Sequence, residues 1–264
     1  SLPPSAFDLP PSFFMIHKTD AIVLKTQPLR SSSLIVTFLT RSFGKLKGVV
    51  KGVRKEREAR SAFYELFTGL EIIFYEKTRS DLHLVSDAAV IETNDHLRTQ
   101  LISIAYASYF SELADGFLEL HDPHESVFEL MEFCFKYLPS IDPERISRIY
   151  ETKLSREIGL LPYLEECLEC HVQVPDIGFF SVAQGAVYCR KCQPRISDAR
   201  LISAEALASL RYFTRHDPAE CLKFRTSQLA DKELATLMER FFLYRLGQPL
   251  KSRRFMAEIQ PFLT

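Results

Sequence analysis

The sequence lacks the features that mark several large classes of protein. None of its apolar runs approaches the length needed to cross a bilayer. It contains no P-loop and no glycine-rich dinucleotide motif, which argues against nucleotide hydrolysis, and no Gly-x-Ser-x-Gly motif of the serine hydrolases. Its seven histidines form no recognisable catalytic arrangement. The familiar enzyme classes therefore have no support in the sequence.

The chain also lacks a net charge that would indicate a nucleic-acid partner. Its formal net charge is −1, but the charges are uneven, with basic residues in excess over 1–92 and acidic residues in excess over 93–160. Any anion-binding face must therefore be local. The 264 residues, 46% hydrophobic and 25% charged, are typical of a soluble globular protein and sufficient for two domains.

The first 14 residues contain no Lys or Arg and are interrupted by prolines, so they do not resemble a secretory signal. We expect residues 1–14 to be an irregular extension and Met15 to begin the folded unit. Without a secretory signal, a reducing compartment is favoured, and cysteines there bind metal more readily than they form disulfides.

Two Cys-x-x-Cys pairs are the clearest local signal. Cys167 and Cys170 precede Cys189 and Cys192 with the spacing of a four-thiolate zinc site. Such a shell is closed, which favours one structural zinc ion over a catalytic one, and His171 would be a fifth ligand in a full site. Disulfide pairing is the alternative. The other cysteines, Cys134 and Cys221, lie singly in apolar-patterned stretches, and Cys134 is expected in the core.

Residues 15–92 read as five short strands separated by turn signals. The strands are expected at 21–24, 34–40, 45–53, 66–75 and 82–91, and five such strands favour an OB-fold barrel. Residues 93–264 change to a helical period, with start signals at Asp122-Pro123, Asp142-Pro143 and Ser203 and stop signals at Gly159 and Gly247. A zinc hairpin at 163–195, turning at Gln184-Gly185, interrupts these helices. The fold class is α+β: a barrel followed by a helical domain with an inserted zinc finger.

Basic residues are concentrated between 41 and 60, where only Glu56 and Glu58 oppose them. A solvated charged loop is the simpler interpretation, and a phosphate-binding track on the barrel is the functional one. Phe43, in a turn between basic residues, is the better candidate for stacking against a base, whereas Phe63 and Phe67 are expected in the core. The candidate DNA-binding residues are Lys25, Arg41, Phe43, Lys45, Lys47, Lys51, Arg54, Lys55, Arg57 and Arg60.

The order of motifs resembles the bacterial recombination mediator RecO family over about residues 18–255. The matching segments are Ala21-Ile22-Val23-Leu24-Lys25-Thr26, Ile35-Val36-Thr37-x-x-Thr40 with Gly44-Lys45, Lys51-Gly52-x-Arg54, Glu157-x-Gly159-x-x-Pro162, the four cysteines with Phe180-Ser181 and Gly185, Tyr244-Arg245-Leu246, and Pro249-Leu250-Lys251-Ser252.

The resemblance implies an OB-fold followed by a helical domain with a zinc finger, and a non-enzymatic role in DNA repair in the bacterial cytoplasm, associated with the nucleoid. It further implies binding of single- and double-stranded DNA and annealing of complementary strands. The implied partners are the single-strand-binding protein, RecR and, indirectly, RecA, which is loaded at gaps.

Basic residues near the C-terminus could bind an acidic peptide with an apolar end, such as the tail of the single-strand-binding protein. The candidates are Arg245, Lys251, Arg253 and Arg254. A solvated helix end is the simpler interpretation. Two other functions stay open for the whole chain: a zinc-containing enzyme, and a zinc-stapled protein–protein adaptor without affinity for DNA.

Overall fold

A computed structural model describes residues 15–29, 32–53, 62–77 and 80–259. Its first compact unit runs to Asn94 and also includes the later segment Leu118–Glu125. Five strands form a closed barrel in the order β1-β2-β3-β5-β4: β1 Met15–Leu29, β2 Ser33–Thr40, β3 Gly44–Val50, β4 Gly69–Glu76 and β5 Leu82–Glu92. The predicted OB-like barrel is confirmed.

Alternation of side chains explains why these strands close around one core. Val36 and Phe38 of β2, Leu46 of β3 and Ile72 of β4 point inwards and are at most 1% exposed. Each such side chain stabilises the folded unit by about 1.5–3 kcal/mol relative to an exposed one. The expected core position of Phe67 is confirmed at 2% exposure.

β1 is much longer than the four residues that the sequence suggests, because its first half pairs with β4 and its second half with β2. A β-bulge between Val23 and Lys25 lets the strand change partners. The expected start of β4 at residue 66 is wrong. Phe67 has a φ of 72°, which interrupts extended backbone, so the strand begins at Gly69.

The segment Leu118–Glu125 belongs to the barrel unit, although we assigned it to the helical part from the sequence. Leu120 bridges to Lys45, and the His121 N–H donates to the Lys45 carbonyl over 2.9 Å. Gly44 makes this approach possible because a Cβ there would lie 2.0 Å from the Asp122 carbonyl oxygen. The segment thereby covers the start of β3.

The second unit contains Asp95–Phe117 and the residues from Ser126 onwards. Its helices are α1 Asp95–Arg98, α2 Leu101–Phe117, α3 Glu125–Tyr137, α4 Pro143–Glu157, α5 Ala204–Arg215, α6 Pro218–Cys221, α7 Gln228–Leu246 and α8 Lys251–Ile259. Between α4 and α5 lies a sheet of three strands in the order β7-β6-β8: β6 Gly178–Ser181, β7 Ala186–Tyr188 and β8 Arg200–Ile202. Within the described residues no helix has the length and apolarity needed to span a membrane.

Several predicted helix ends are confirmed by their capping geometry. Asp142 caps α4 by accepting from the Glu144 N–H, and Ser203 caps α5 by accepting from the Ala206 N–H. Gly159 and Gly247 follow α4 and α7 with φ of 71° and 68°, the left-handed geometry of a glycine stop. Cys134 is fully buried, as expected.

Two predictions for the helical part are wrong. The first helical stripe was expected to bury Leu101, which is 49% exposed, whereas Tyr106, Tyr109 and Phe110 face the core. The helix expected after Asp122-Pro123 begins at Glu125, because Asp122 lies in the segment that covers β3.

Charged side chains lie at the centre of the helical core. Arg148 and Glu151 of α4 are both fully buried and form an ion pair of 3.1 Å, and the Tyr109 hydroxyl donates to Glu151 over 2.7 Å. Arg253 of α8 lies 3.6 Å from the same carboxylate and over the Tyr109 ring. Burial raises the pKa of Glu151, and the two guanidinium groups oppose that rise.

Candidate metal centre and nucleic-acid face

The four paired cysteines come together, as their spacing predicts. Each offers one sulfur, and the four sulfurs lie within 4.8 Å of one another. The Sγ atoms of Cys170 and Cys189 are 3.7 Å apart. Zinc–sulfur bonds of about 2.3 Å in a tetrahedron place the sulfurs about 3.8 Å apart. The cluster could therefore hold a metal ion in a geometry consistent with zinc.

Local backbone geometry shapes both cysteine pairs and favours the thiolate form of Cys167. In each Cys-x-x-Cys pair the chain turns back on itself, with N–H donation from His171 to the Cys167 carbonyl and from Cys192 to the Cys189 carbonyl. Burial disfavours the Cys167 thiolate, but backbone N–H groups of Cys189, Cys170 and Glu169 outweigh it and lower the pKa of Cys167 to about 6. The thiolate is the form that binds metal.

His171 is not placed as a fifth ligand. Its backbone has a φ of 56°, and its Nδ1 lies 3.1 Å from the Glu166 carboxylate. Among the described residues the donor set of the cluster is the four cysteines alone. A shell of four protein ligands leaves no coordination position open to a substrate.

Two side chains that the sequence analysis did not single out fix the cysteine hairpin, one by joining it to a helix and the other by shaping its turn. Arg211 of α5 donates to the carbonyls of Leu164 and Val174, each over 2.6 Å, on either side of the first cysteine pair. Asp198 accepts from the Ser181 hydroxyl and the Ala183 N–H, which shapes the turn between β6 and β7. No sequence signal marks either residue, because their partners are mostly backbone groups.

A row of side chains on the outside of the barrel brings two of the predicted DNA-binding lysines together. Lys25 of β1 is in register with Thr37 of β2, and Thr37 with Lys47 of β3. Neighbouring side chains in such a row lie about 5 Å apart. Within the described residues no carboxylate pairs with Lys25 or Lys47, whereas Lys18 on the same barrel is 2.8 Å from Glu71. Lys51, exposed, follows the end of β3.

Family models match nearly the whole chain. A model described as recombination protein O N terminal matches residues 15–94, and one described as recombination protein O C terminal matches residues 98–254. The chain belongs to the recombination protein O family. This membership supports a role as a recombination mediator in DNA repair.

Curated relatives match over more than nine tenths of their length. The chain is 31% identical to a DNA repair protein RecO from Syntrophus aciditrophicus, covering 92% of this chain and 96% of the relative. It is 26% identical to a DNA repair protein RecO from Halalkalibacterium halodurans, covering 93% and 96%, and 27% identical to one from Moorella thermoacetica, covering 92% and 91%.

Two other predicted DNA-binding residues, Lys45 and Arg41, are less available to DNA than Lys25 and Lys47. Lys45 is only 9% exposed, because the segment Leu118–Glu125 covers its strand, so we do not count it with the exposed lysines. Arg41 forms ion pairs with Asp20 and Glu125, at 3.6 and 3.3 Å.

Phe43 is half-buried against the barrel core, with its ring 4.7 Å from that of His17 and 5.3 Å from that of Phe74. Its predicted stacking on a base would therefore compete with contacts already made. The remaining predicted basic residues lie outside the described residues: Arg54, Lys55, Arg57 and Arg60.

The four predicted peptide-binding residues have different surroundings. The prediction for Arg253 is corrected, because its side chain is 13% exposed and belongs to the buried Glu151 cluster. Its charge is therefore not presented to a peptide. The Arg245 guanidinium lies over the Phe241 and Tyr244 rings, at 5.3 and 5.7 Å. Arg254 pairs with Glu258 at 2.9 Å. Lys251 is exposed at the start of α8, where its backbone N–H donates to Glu112.

Proposed function

We propose that the chain binds DNA through the outer face of β1, β2 and β3. The observation that carries the proposal is the row Lys25–Thr37–Lys47, whose two ammonium groups have no carboxylate partner among the described residues. Strands β2 and β3 form the face that OB-folds use for oligonucleotides. Lys25 is exposed and Lys47 is half-buried, and two such cations on one face can contact successive phosphates without recognising the base sequence.

Because the chain is near neutral overall, we propose that the attraction for DNA is local and that this face contributes to it. Each phosphate contact on a single strand contributes about −0.7 to the slope of log affinity against log salt. A Lys25→Ala/Lys47→Ala variant should therefore have a slope shallower by about 1.4 and a correspondingly weaker affinity at low salt. Fluorescence anisotropy with a labelled oligonucleotide over a salt series measures both.

A charge-matched variant provides the control for that measurement. Lys18→Ala/Lys232→Ala removes the same two charges, one from an ion pair with Glu71 and one from the exposed side of α7. It should keep the slope and affinity of the unsubstituted chain. Equal losses in the two double variants would assign the effect to net charge and would remove the assignment to this face.

We further propose that binding serves strand annealing and mediator activity. Two complementary strands repel each other through their phosphates, and a protein that neutralises phosphates on both reduces that repulsion. On this basis the chain anneals strands, binds single- and double-stranded DNA, and helps to load RecA together with RecR on DNA coated with the single-strand-binding protein. Family membership supports these finer roles.

For the tail of the single-strand-binding protein we propose a smaller surface than the sequence suggested, formed by Arg245, Lys251 and Arg254. Lys251→Ala/Arg254→Ala should weaken binding of the acidic tail peptide in titration calorimetry, whereas Lys232→Ala should not. A peptide that produces no heat at low salt with the unsubstituted chain would contradict this surface.

We propose that the ion held by the four cysteines is one zinc ion with a structural role. The closed donor set disfavours the alternative of a zinc-containing enzyme, which needs an exchangeable position. Metal analysis and the absorption of the cobalt-substituted protein test this. A tetrathiolate spectrum that small anions do not change supports the structural role, and a spectrum that responds to them contradicts it.

A further inference from the structure

An unassigned pocket opens at the end of the lysine face, within the barrel unit. Among the described residues its walls come from three places: the end of β3 with Val50, Lys51 and Val53, the residues Phe63 and Tyr64 before β4, and the stretch 85–88 of β5. The cavity volume is about 80 Å³, and the pocket is open to solvent at its mouth.

A β-bulge accounts for the pocket. Ile73 and Phe74 of β4 pair with Asp87 and Val85, so Ser86 is the extra residue in β5. The pairing of β5 with β3 ends at the same place, at Val50 and Val85. A bulge bends its strand and leaves one residue unpaired. The two parallel strands therefore separate here, and the gap between them is the pocket.

The lining is apolar inside and polar at the rim. Val50 and Val85 belong to the barrel core, and the half-buried Phe63 packs against that core from the pocket side. At the rim, the Ser86 hydroxyl donates to the Ile73 carbonyl over 3.1 Å, and the Asp87 carboxylate accepts from the Ala88 N–H over 3.0 Å. A flat group entering the pocket would meet an aromatic ring and hydrogen-bond acceptors at the edge.

We propose that this pocket receives one base of a single DNA strand, stacked on Phe63, with Lys51 at the rim beside the adjoining phosphate. The inference rests on the DNA-binding function proposed above and identifies the part of the site that contacts bases. Four residues of strand, about 13 Å, separate Lys47 from Lys51, so a backbone that follows the lysines arrives at the pocket mouth. The bases of a duplex are paired and stacked inside it, so the pocket favours single strands.

The test separates base contacts from phosphate contacts. Anisotropy is measured with two 15-residue oligomers of equal charge, one with bases and one with abasic sugars throughout. The unsubstituted chain should bind the base-bearing oligomer about tenfold more tightly, the range of one base stacked on an aromatic side chain. Phe63→Leu removes the aromatic ring on which the base would stack and enlarges the pocket. Ala88→Met keeps the ring and fills the space beside it.

Both variants should bring the ratio of the two affinities close to one while keeping the affinity for the abasic oligomer and the salt slope. Phe133→Leu, a matched change at a half-buried Phe of the helical unit, should keep the tenfold ratio. An unchanged ratio in both pocket variants, or an equal loss of affinity for both oligomers, would overturn the proposal that the pocket binds a base. If the unsubstituted chain bound neither oligomer, the DNA-binding proposal itself would fail, which is a different result.

The emission of a fluorescent base provides a second measurement of stacking at the pocket. With 2-aminopurine in an otherwise natural oligomer, stacking on Phe63 should quench the emission on binding, and Phe63→Leu should reduce the quenching. Quenching that stays the same in Phe63→Leu would place the stacked base elsewhere and contradict the inference.

Discussion

At the scale of single residues, the least expected feature is the charge inside the helical core. Arg148 and Glu151 are apart by three positions on α4, which is compatible with an ordinary surface ion pair, and the sequence does not distinguish that case from a buried one. In the folded chain both are fully buried, and Arg253 from the last helix approaches the same carboxylate. Long-range packing therefore decides the role of Arg253.

Removing the shared carboxylate should be costly. Glu151→Leu leaves two guanidinium groups without their counter-charge, and loss of one partner from a buried pair typically costs about 3–5 kcal/mol. The exposed Glu258 of α8 provides the control, because it has only a surface ion pair with Arg254 at 2.9 Å, so Glu258→Leu should change the free energy of unfolding by about 1 kcal/mol or less. Urea unfolding followed by helical circular dichroism measures both variants. Equal unfolding free energies for the two would contradict the buried network.

At the scale of elements, the sequence predicts what local chemistry determines. The N-caps Asp142 and Ser203, the stop at Gly247 and the cysteine pairs act on neighbouring residues, and each lies where expected. The length of β1 and the third strand β8 depend on pairing with distant residues, and no local pattern indicates them.

The same distinction applies to the candidate nucleic-acid face. Charge along the sequence identifies Lys25 and Lys47 as candidates, but only the register through Thr37 brings them together. Lys45 looks equivalent to Lys47 in the sequence, because both point away from the core. The segment that buries it comes from residues more than seventy positions later, which the alternation of β3 cannot reveal.

The attachment of that segment should depend on Gly44. Gly44→Ala places a Cβ at 2.0 Å from the Asp122 carbonyl oxygen and also forces a non-glycine residue to a φ of 65°. Gly52→Ala isolates the second effect, because Gly52 has a φ of 77° and no atom of the described residues lies within 4 Å of its Cβ position. Positive φ alone costs about 1–2 kcal/mol.

Hydrogen exchange distinguishes the two glycine variants. In Gly44→Ala the amides of 118–125, including the His121 N–H that donates to Lys45, should exchange much faster than in the unsubstituted chain. In Gly52→Ala their protection should stay the same. Equal exchange in the two variants would show that the close approach at Gly44 does not hold the segment.

Metal removal should affect the cysteine hairpin locally. Structural zinc contributes roughly 10–16 kcal/mol of apparent binding free energy in isolated zinc fingers. The helices α4 and α5 are stabilised separately, because each buries its own apolar face, and Arg211 of α5 donates hydrogen bonds to the hairpin. After chelation, exchange should rise between residues 163 and 202 and stay low in the barrel. An equal rise in the barrel strands would contradict a local role for the ion.

At the scale of the whole molecule, the two candidate sites have separate tasks. The cysteine cluster joins segments of the helical unit and has a closed donor set, whereas the barrel carries Lys25 and Lys47, which have no carboxylate partner among the described residues. We therefore propose that the strongest motif in the sequence stabilises the scaffold and that the weaker basic pattern carries the DNA-binding function. Membership in the recombination protein O family is consistent with both.

The most direct test of the account is strand annealing by the full chain. Two complementary oligonucleotides with a fluorescent donor and acceptor are mixed, and the rate of energy transfer is recorded with the unsubstituted chain, Lys25→Ala/Lys47→Ala and the charge-matched Lys18→Ala/Lys232→Ala. We expect acceleration by the unsubstituted chain and the matched control, and loss of most of it in Lys25→Ala/Lys47→Ala. No acceleration by the unsubstituted chain, or the same acceleration in both double variants, would contradict the central claim.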